Sequence, residues 1–339
     1  MIMTTSPETP PAPRRSRRTV IRVVALVLAL ALCVAFLVPR ADDIAAAFAR
    51  QRPAPLALAL LLGFAATWVT FLSWRSLLAG AGHRLPLGAA QRVFFLSQIG
   101  KYIPGSVWPI VAQADLGREH KVPAAKSVAV GMLTLLVSCG AGVCVAAVTI
   151  PFVAPGAFRT YWFVLLLVPI VVAALHPSVL GFGMRLASRV TRRELGQLTI
   201  PYPTLARAFG WAALAWGLFG THIALVLSPL AHLRPGVFLL VIGGYALAWL
   251  VGFVVFFLPA GLGGREATLT ALLVAGVPLA SGTAVSVAVM SRVLLTVVDV
   301  VFAAVFVLNR RHRPVPPVAV PTERDDLGAL GSRGTPGQH

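Results

Sequence analysis

The first stretch of this sequence whose residues could do chemistry runs from Phe94 to Pro109. It is apolar enough to enter a bilayer, yet it contains Lys101, and Pro104 and Gly105 follow the lysine closely. Because proline lacks a backbone N–H and clashes with the preceding helical turn, a spanning helix would be interrupted here. We therefore predict a re-entrant broken segment that lines a cavity, with the lysine as a candidate for binding an anionic group.

The second stretch, Phe256 to Glu266, has the same character. Its apolar run stops at Pro259, continues through three glycines and restarts as a predicted helix with Arg265 and Glu266 in the first turn. A helix N-terminus exposes unpaired N–H groups and the positive end of the helix dipole, so this one suits a phosphate or carboxylate. From these residues alone, a tight loop with Arg265 facing lipid headgroups is an equally good interpretation.

Two further charges, Arg292 and Asp299, lie inside the last predicted span. They are two helical turns apart on one face, too far for the direct pairing of residues at i, i+3 or i, i+4. We predict that each finds a partner elsewhere and that this face looks into a helix bundle rather than towards lipid. Two roles remain open for the face: ion pairs that only orient the helices, or a polar path for a lipid headgroup.

Taken together, the two broken stretches resemble the flippase-like transmembrane domain of lysylphosphatidylglycerol synthases. The resemblance rests on Lys101-Tyr102-Ile103-Pro104-Gly105 through Trp108 and on the later Pro259-x-Gly261-x-Gly263-x-Arg265-Glu266, and it covers roughly Arg22 to Arg310. It implies translocation of a lipid in a bacterial inner (plasma) membrane. The candidate headgroup-binding residues are Lys101, Tyr102, Pro104, Gly105, Trp108, Gly261, Gly263, Arg265, Glu266, Arg292 and Asp299.

Composition sets the fold class. Hydrophobic residues make up 58% of the chain and charged residues 12%, and several apolar runs approach the roughly 20 residues that cross a bilayer. We predict an all-α, polytopic helical membrane bundle with about eight transmembrane helices plus re-entrant broken segments. The net charge is +18, and the arginines and lysines that carry it lie mainly between the apolar runs. Such residues set the orientation of a membrane protein and contact anionic headgroups, so they do not indicate nucleic-acid binding. The three cysteines have no metal-ligand spacing, and no metal or cofactor is predicted.

Charge also predicts domain limits and orientation. Residues 1–19 form a basic, disordered tail, residues 20–310 the transmembrane domain, and residues 311–339 a disordered C-terminal tail. With both termini cytoplasmic, only Arg40, Arg50, Arg52, Arg159 and Arg234 fall outside. The short apolar run from Ala267 to Leu279 either crosses or is re-entrant. Crossing is favoured, because otherwise the basic C-terminal flank would lie outside.

Three functions compete at this point. The first is translocation of an anionic or aminoacylated phospholipid, or of a related lipid-linked headgroup. In it the cations attract a phosphate, and Glu266 and Asp299 suit an amine. The second is a membrane glycosyltransferase or a protein that handles lipid-linked sugars, for which Asp42-Asp43 would be the catalytic carboxylates. That pair is better explained as the cap of a short helix, so we predict no catalytic residues.

The third function is a non-transporting subunit of an envelope lipid or glycan synthesis complex. Fuller members of the family continue into a large soluble synthase domain, whereas this chain stops about 30 residues after its last predicted span. We therefore expect no synthase activity and no enzyme. The expected partners are membrane phospholipids and a separate lipid-modifying synthase or glycosyltransferase.

Overall fold

The computed structural model describes residues 49–103, 107–153, 162–176, 200–254 and 263–308, with the single positions 42, 45, 46, 156, 159, 178 and 179. Several predictions lie outside these residues, namely the first span, both tails, Pro104, Gly105 and Gly261. Every regular element within the described ranges is helical, as the composition predicts. The helical membrane bundle is therefore confirmed.

Nine α-helices make up the described part of the chain. They are α1 Pro53–Gly80, α2 Leu87–Ser97, α3 Trp108–Arg118, α4 Ala124–Thr149, α5 Leu167–Ala174, α6 Tyr202–Leu227, α7 Pro235–Val254, α8 Gly264–Gly276 and α9 Ser281–Leu308. Short 3-10 helices continue α2 (Gln98–Tyr102), extend α4 (Ile150–Phe152) and precede α5 (Trp162–Leu166).

Five of these helices, α1, α4, α6, α7 and α9, are long and apolar enough to cross a membrane. Helix α8 has 13 residues and a length of about 20 Å, which is short of a hydrocarbon core about 30 Å thick. The apolar helical run Trp162–Ala174 is similarly short. The described residues thus account for five crossings, and the total of eight stays a prediction.

The predicted break in the first stretch is confirmed. Helix α2 tightens into the 3-10 turn Gln98–Tyr102, Ile103 is extended, and α3 begins at Trp108. With 11 residues each, α2 and α3 are about 16 Å long, and neither spans a bilayer alone. A Cβ on Gly100 would lie 2.9 Å from Pro109 N, so this glycine lets the two short helices meet closely.

Helices α1 and α6 pack antiparallel along their length and form the most extensive helix pair of the bundle. Ser73 Oγ donates to the carbonyl oxygen of Ala208 at 2.8 Å. Further along, the buried His222 ring lies 2.8 Å from Ala59 O and 3.0 Å from Ser291 Oγ, joining α6 to both α1 and α9. The lone histidine is a hydrogen-bonding residue of the core, as its isolation in an apolar span indicates.

An aromatic cluster fixes the first broken segment against α9. Phe95 of α2 stacks on Phe302 of α9 with ring centroids 4.1 Å apart and planes 9° from parallel. The other members of the cluster are Trp68, Phe71, Trp74, Phe94 and Phe306. Offset and edge-to-face aromatic pairs stabilise beyond their buried area. Because Asp299 is one turn before Phe302, this packing brings the end of α2 beside that carboxylate.

Candidate functional site

A partly open cavity of about 270 Å³, the internal cavity, lies among the helices of the bundle. Helices α1 to α4 and α6 to α9 and the 3-10 turn after α2 all contribute lining residues. Both cations of the broken segments, Lys101 and Arg265, line it, together with Arg292. The structure thus brings cations of both broken segments to the wall of one cavity.

Lys101 and Tyr102 both bind the carboxylate of Asp299. Lys101 Nζ lies 2.6 Å from Asp299 Oδ2, and the Tyr102 hydroxyl donates to the same oxygen at 2.7 Å. The tyrosine oxygen also lies 3.3 Å from Thr296 Oγ1, and that threonine donates to the carbonyl oxygen of Arg292 at 2.9 Å. Since only 4% of the Asp299 side chain is exposed, these two groups compensate a buried charge.

The second broken segment is joined to the same helix by another ion pair. Arg292 Nη1 lies 3.3 Å from Glu266 Oε1, and both side chains are largely buried. Glu266 Oε2 accepts a hydrogen bond of 2.8 Å from Gly263 N, which closes the first turn of α8. Gly263 adopts φ +87°, a conformation that glycine allows at little cost. The expectations that Glu266 lies in a first helical turn and that Arg292 and Asp299 pair elsewhere are both confirmed.

Arg265 differs from the other two cations in its partner. Its guanidinium group lies over the ring of Tyr245, 4.5 Å from the centroid, and donates a hydrogen bond to the Tyr245 hydroxyl. Within the described residues no carboxylate pairs with Arg265. Among the described residues Arg265 therefore brings to the cavity wall a positive charge that no carboxylate neutralises.

The charges around the cavity therefore do not cancel. Lys101 and Arg292 are neutralised by Asp299 and Glu266, and Arg265 leaves an excess of one positive charge among the described residues. The expectation that the two carboxylates are available for an amine is not supported by this geometry. Each carboxylate already has a cation within ion-pair distance.

The remaining predicted residues have distinct positions. Trp108 begins α3, and its neighbour Pro109 lines the cavity. Gly263 shapes the start of α8 and does not face the cavity. Pro104, Gly105 and Gly261 lie outside the described residues. Binding of a headgroup by any of these positions stays a prediction.

Sequence reasoning missed three parts of the cavity wall. Tyr245 is a polar side chain inside an apolar span, which is a signal that could have been used. Thr296 lies between Arg292 and Asp299 on the same face of α9, so the spacing of these three residues could have predicted that Thr296 lines the cavity. The third part is a stripe on α1 at intervals of three residues, formed by Thr67, Thr70 and Ser73.

Comparison with known families supports the resemblance read from the two motifs. The family model described as the lysylphosphatidylglycerol synthase TM region matches residues 21–303. The matched range includes both broken segments and all of the charged residues that surround the cavity. A comparison with curated proteins finds no match to this chain.

Proposed function

This chain belongs to the family of the lysylphosphatidylglycerol synthase TM region, and we propose that it moves an anionic phospholipid between the leaflets of a membrane. It is a multi-pass membrane protein, since several of its helices are long and apolar enough to cross a bilayer. The proposed location is a bacterial plasma membrane with both termini in the cytoplasm. The arginine distribution supports that orientation.

The observation that carries this proposal is Arg265 in the wall of an internal cavity with no carboxylate partner among the described residues. A guanidinium group binds phosphate through charge-assisted, often bidentate hydrogen bonds. In the proposed mechanism the headgroup phosphate contacts Arg265 inside the bundle while the acyl chains stay in the bilayer. The threonines and serines that line the cavity offer further hydrogen bonds to the headgroup.

The charge around the cavity favours an anionic lipid over an aminoacylated one. An aminoacylated headgroup carries an ammonium group, which needs an acceptor or a carboxylate when it leaves water. Asp299 and Glu266 are the carboxylates nearest the cavity, and both are bound to cations of the protein. A phosphate without an attached amine is better matched to the one excess positive charge.

We further propose that the protein moves a lipid without changing it. A carboxylate acting as a general base must be able to accept a proton from the substrate. Asp299 and Glu266 are already bound by cations of the protein and by hydroxyl or backbone donors, so neither is placed to take a proton from a lipid. A separate lipid-modifying synthase or glycosyltransferase would then make or use the transported lipid.

The test is a leaflet-accessibility assay with the purified protein in phosphatidylcholine vesicles that contain fluorescently labelled phosphatidylglycerol. We expect Arg265→Gln to slow phosphatidylglycerol movement by about tenfold or more, because one charge-assisted contact is lost. Arg118→Gln, an exposed arginine at the end of α3, is the matched control and keeps the wild-type rate. A folded Arg265→Gln variant that moves phosphatidylglycerol at the wild-type rate would contradict the proposal.

A further inference from the structure

A second cavity, of about 340 Å³, lies where α1 ends and α6 begins. Three arginines line it, Arg75, Arg84 and Arg207, together with His83 and Trp211. In the described part of the chain it shares no lining residue with the internal cavity. The proposed translocation function makes no use of it.

The end of α1 explains how two of these side chains reach the cavity. Gly82 adopts φ +89°, and the backbone N–H of His83 donates to the carbonyl oxygen of Leu78 at 3.1 Å. This is the Schellman arrangement that ends many helices and reverses the chain direction. The reversal places His83 and Arg84 alongside the last turns of α1, where Arg75 projects.

The contact between α1 and α6 supplies the third arginine. Ser73 is hydrogen-bonded to Ala208 O, and a Cβ on Gly80 would lie 2.7 Å from Thr204 Cγ2, so the two antiparallel helices are closely packed in one register. In that register Arg75 and Arg207 lie at the same level. Trp211, one turn further along α6, adds an aromatic wall to the cavity.

Among the residues that the structure describes, no carboxylate lines this cavity and none of its three arginines forms an ion pair. Three like charges around one small space repel one another unless an anion lies between them. The Nε2 atom of His83 is buried and has no hydrogen-bond partner among the described residues. A buried polar atom of this kind usually has a partner in the functional state.

We propose that this second cavity binds the phosphate group of an anionic ligand. Guanidinium groups from both helices surround the phosphate, and the side chain of His83 forms part of the wall beside it. Two sources offer this chemistry: the headgroup of an anionic phospholipid and a soluble phosphate compound. Trp211 and the leucines that complete the wall, Leu72, Leu78 and Leu85, favour the lipid, because its glycerol and first methylenes contact apolar side chains.

The experiment measures which lipids stay bound to the purified full-length protein, by native mass spectrometry after addition of phosphatidylglycerol or phosphatidylcholine. The variant is Arg84→Gln with Arg207→Gln, because both side chains are exposed and their loss leaves the helix packing intact. Arg118→Gln, which is also exposed but does not line this cavity, is the control. Thermal unfolding with inorganic phosphate forms the second arm.

We expect wild type and the control to retain phosphatidylglycerol in preference to phosphatidylcholine. In an Arg265→Gln background, which removes the contribution of the internal cavity, the double variant loses about tenfold or more of that preference, since two charge-assisted contacts are removed. Stabilisation by inorganic phosphate that depends on Arg84 and Arg207, without any lipid preference, would assign the site to a soluble phosphate compound. The proposal is overturned if the double variant matches wild type in both arms, or if wild type responds to neither probe.

Discussion

Lys101 Nζ lies 2.6 Å from Asp299 Oδ2, so the cation of the first broken segment neutralises a buried carboxylate of α9. The second broken segment does the reverse, since its Glu266 neutralises Arg292 of the same helix. Helix α9 is thus the element on which both breaks converge. Each ion pair removes a charge that would be costly inside a membrane, and together they fix the geometry that leaves Arg265 facing the cavity.

The first prediction concerns the ion pair between Lys101 and the buried Asp299. Lys101→Met should lower the free energy of unfolding by about 1–3 kcal/mol, because the carboxylate stays buried with one neutral donor while the lost cation is itself partly exposed. Adding Asp299→Asn should restore most of that loss, since the uncompensated charge disappears. Thermal unfolding in detergent of the two single variants and the double variant measures the coupling.

The surface pair of Arg92 and Glu119, 3.6 Å apart with half of the glutamate side chain exposed, is the control for this cycle. Its removal should cost less than about 1 kcal/mol. If the Lys101 and Asp299 changes were additive, the contact would not stabilise the fold. Because Lys101 holds a buried carboxylate, its loss lowers stability as well as any headgroup binding, which makes Arg265 the cleaner position for transport assays.

The second prediction concerns the start of α8. Gly263→Ala should destabilise the protein by about 1–2 kcal/mol, because its φ of +87° is unfavourable for a residue with a Cβ. The change also displaces the backbone N–H of residue 263, which donates a hydrogen bond to the Glu266 carboxylate. Gly282→Ala is the control, since an added methyl group there contacts nothing within 4 Å. Equal melting temperatures of the two variants would show that the glycine conformation is not required.

Some of this site could be predicted from the sequence for physical reasons. Charged residues inside apolar runs are rare and must pair or face a hydrated space. Because Arg292 and Asp299 are too far apart on one helix to pair with each other, the sequence predicted that their partners lie on other segments. Proline next to glycine predicted the break after Lys101, because a proline removes a helical hydrogen bond. These arguments need only local sequence and the properties of a bilayer.

Other features depend on packing between distant segments. Which cation pairs with Asp299 is decided by the aromatic stack that places α2 on α9. The partner of Arg265 is Tyr245, on a different helix, which no spacing rule relates to it. The second cavity brings Arg75 and Arg207 together across the interface of α1 and α6, and no spacing rule in the sequence relates these two arginines.

The third prediction is topological. In a background without the native cysteines, cysteines at Ala41 and Pro235 should react with an impermeant thiol reagent added outside intact cells. Cysteines at Gly88 and Gly196 should react only after the membrane is opened. The asymmetry follows from the excess of Lys and Arg on the cytoplasmic side. Labelling with the opposite sidedness would be inconsistent with cytoplasmic termini.

The fourth prediction separates translocation from sugar transfer. Changing Asp42 and Asp43 together to Asn should leave function in the cell largely intact, because we assign them to a helix cap and not to catalysis. Asp42 occupies a helical position, and Asp43 lies outside the described residues. Complementation of a deletion strain, with the protein level checked by immunoblot, gives the answer. Complete loss of function at a normal protein level would favour the glycosyltransferase.

The last prediction tests whether the hydrogen bond from Arg265 to the Tyr245 hydroxyl helps to orient the guanidinium group. Tyr245→Phe keeps the aromatic face beneath the guanidinium group and removes only the hydroxyl, so the cation–π contact persists while one hydrogen bond is lost. We expect the protein to remain folded, because the ring is retained, and to move phosphatidylglycerol several-fold more slowly as Arg265 becomes less well oriented. Tyr245→Ala should have the larger effect, since it removes the supporting ring as well.

The rates come from the same vesicle assay, and Tyr202→Phe, which changes an exposed tyrosine at the start of α6, serves as the control. A Tyr245→Phe variant with an unchanged rate would show that stacking alone orients Arg265.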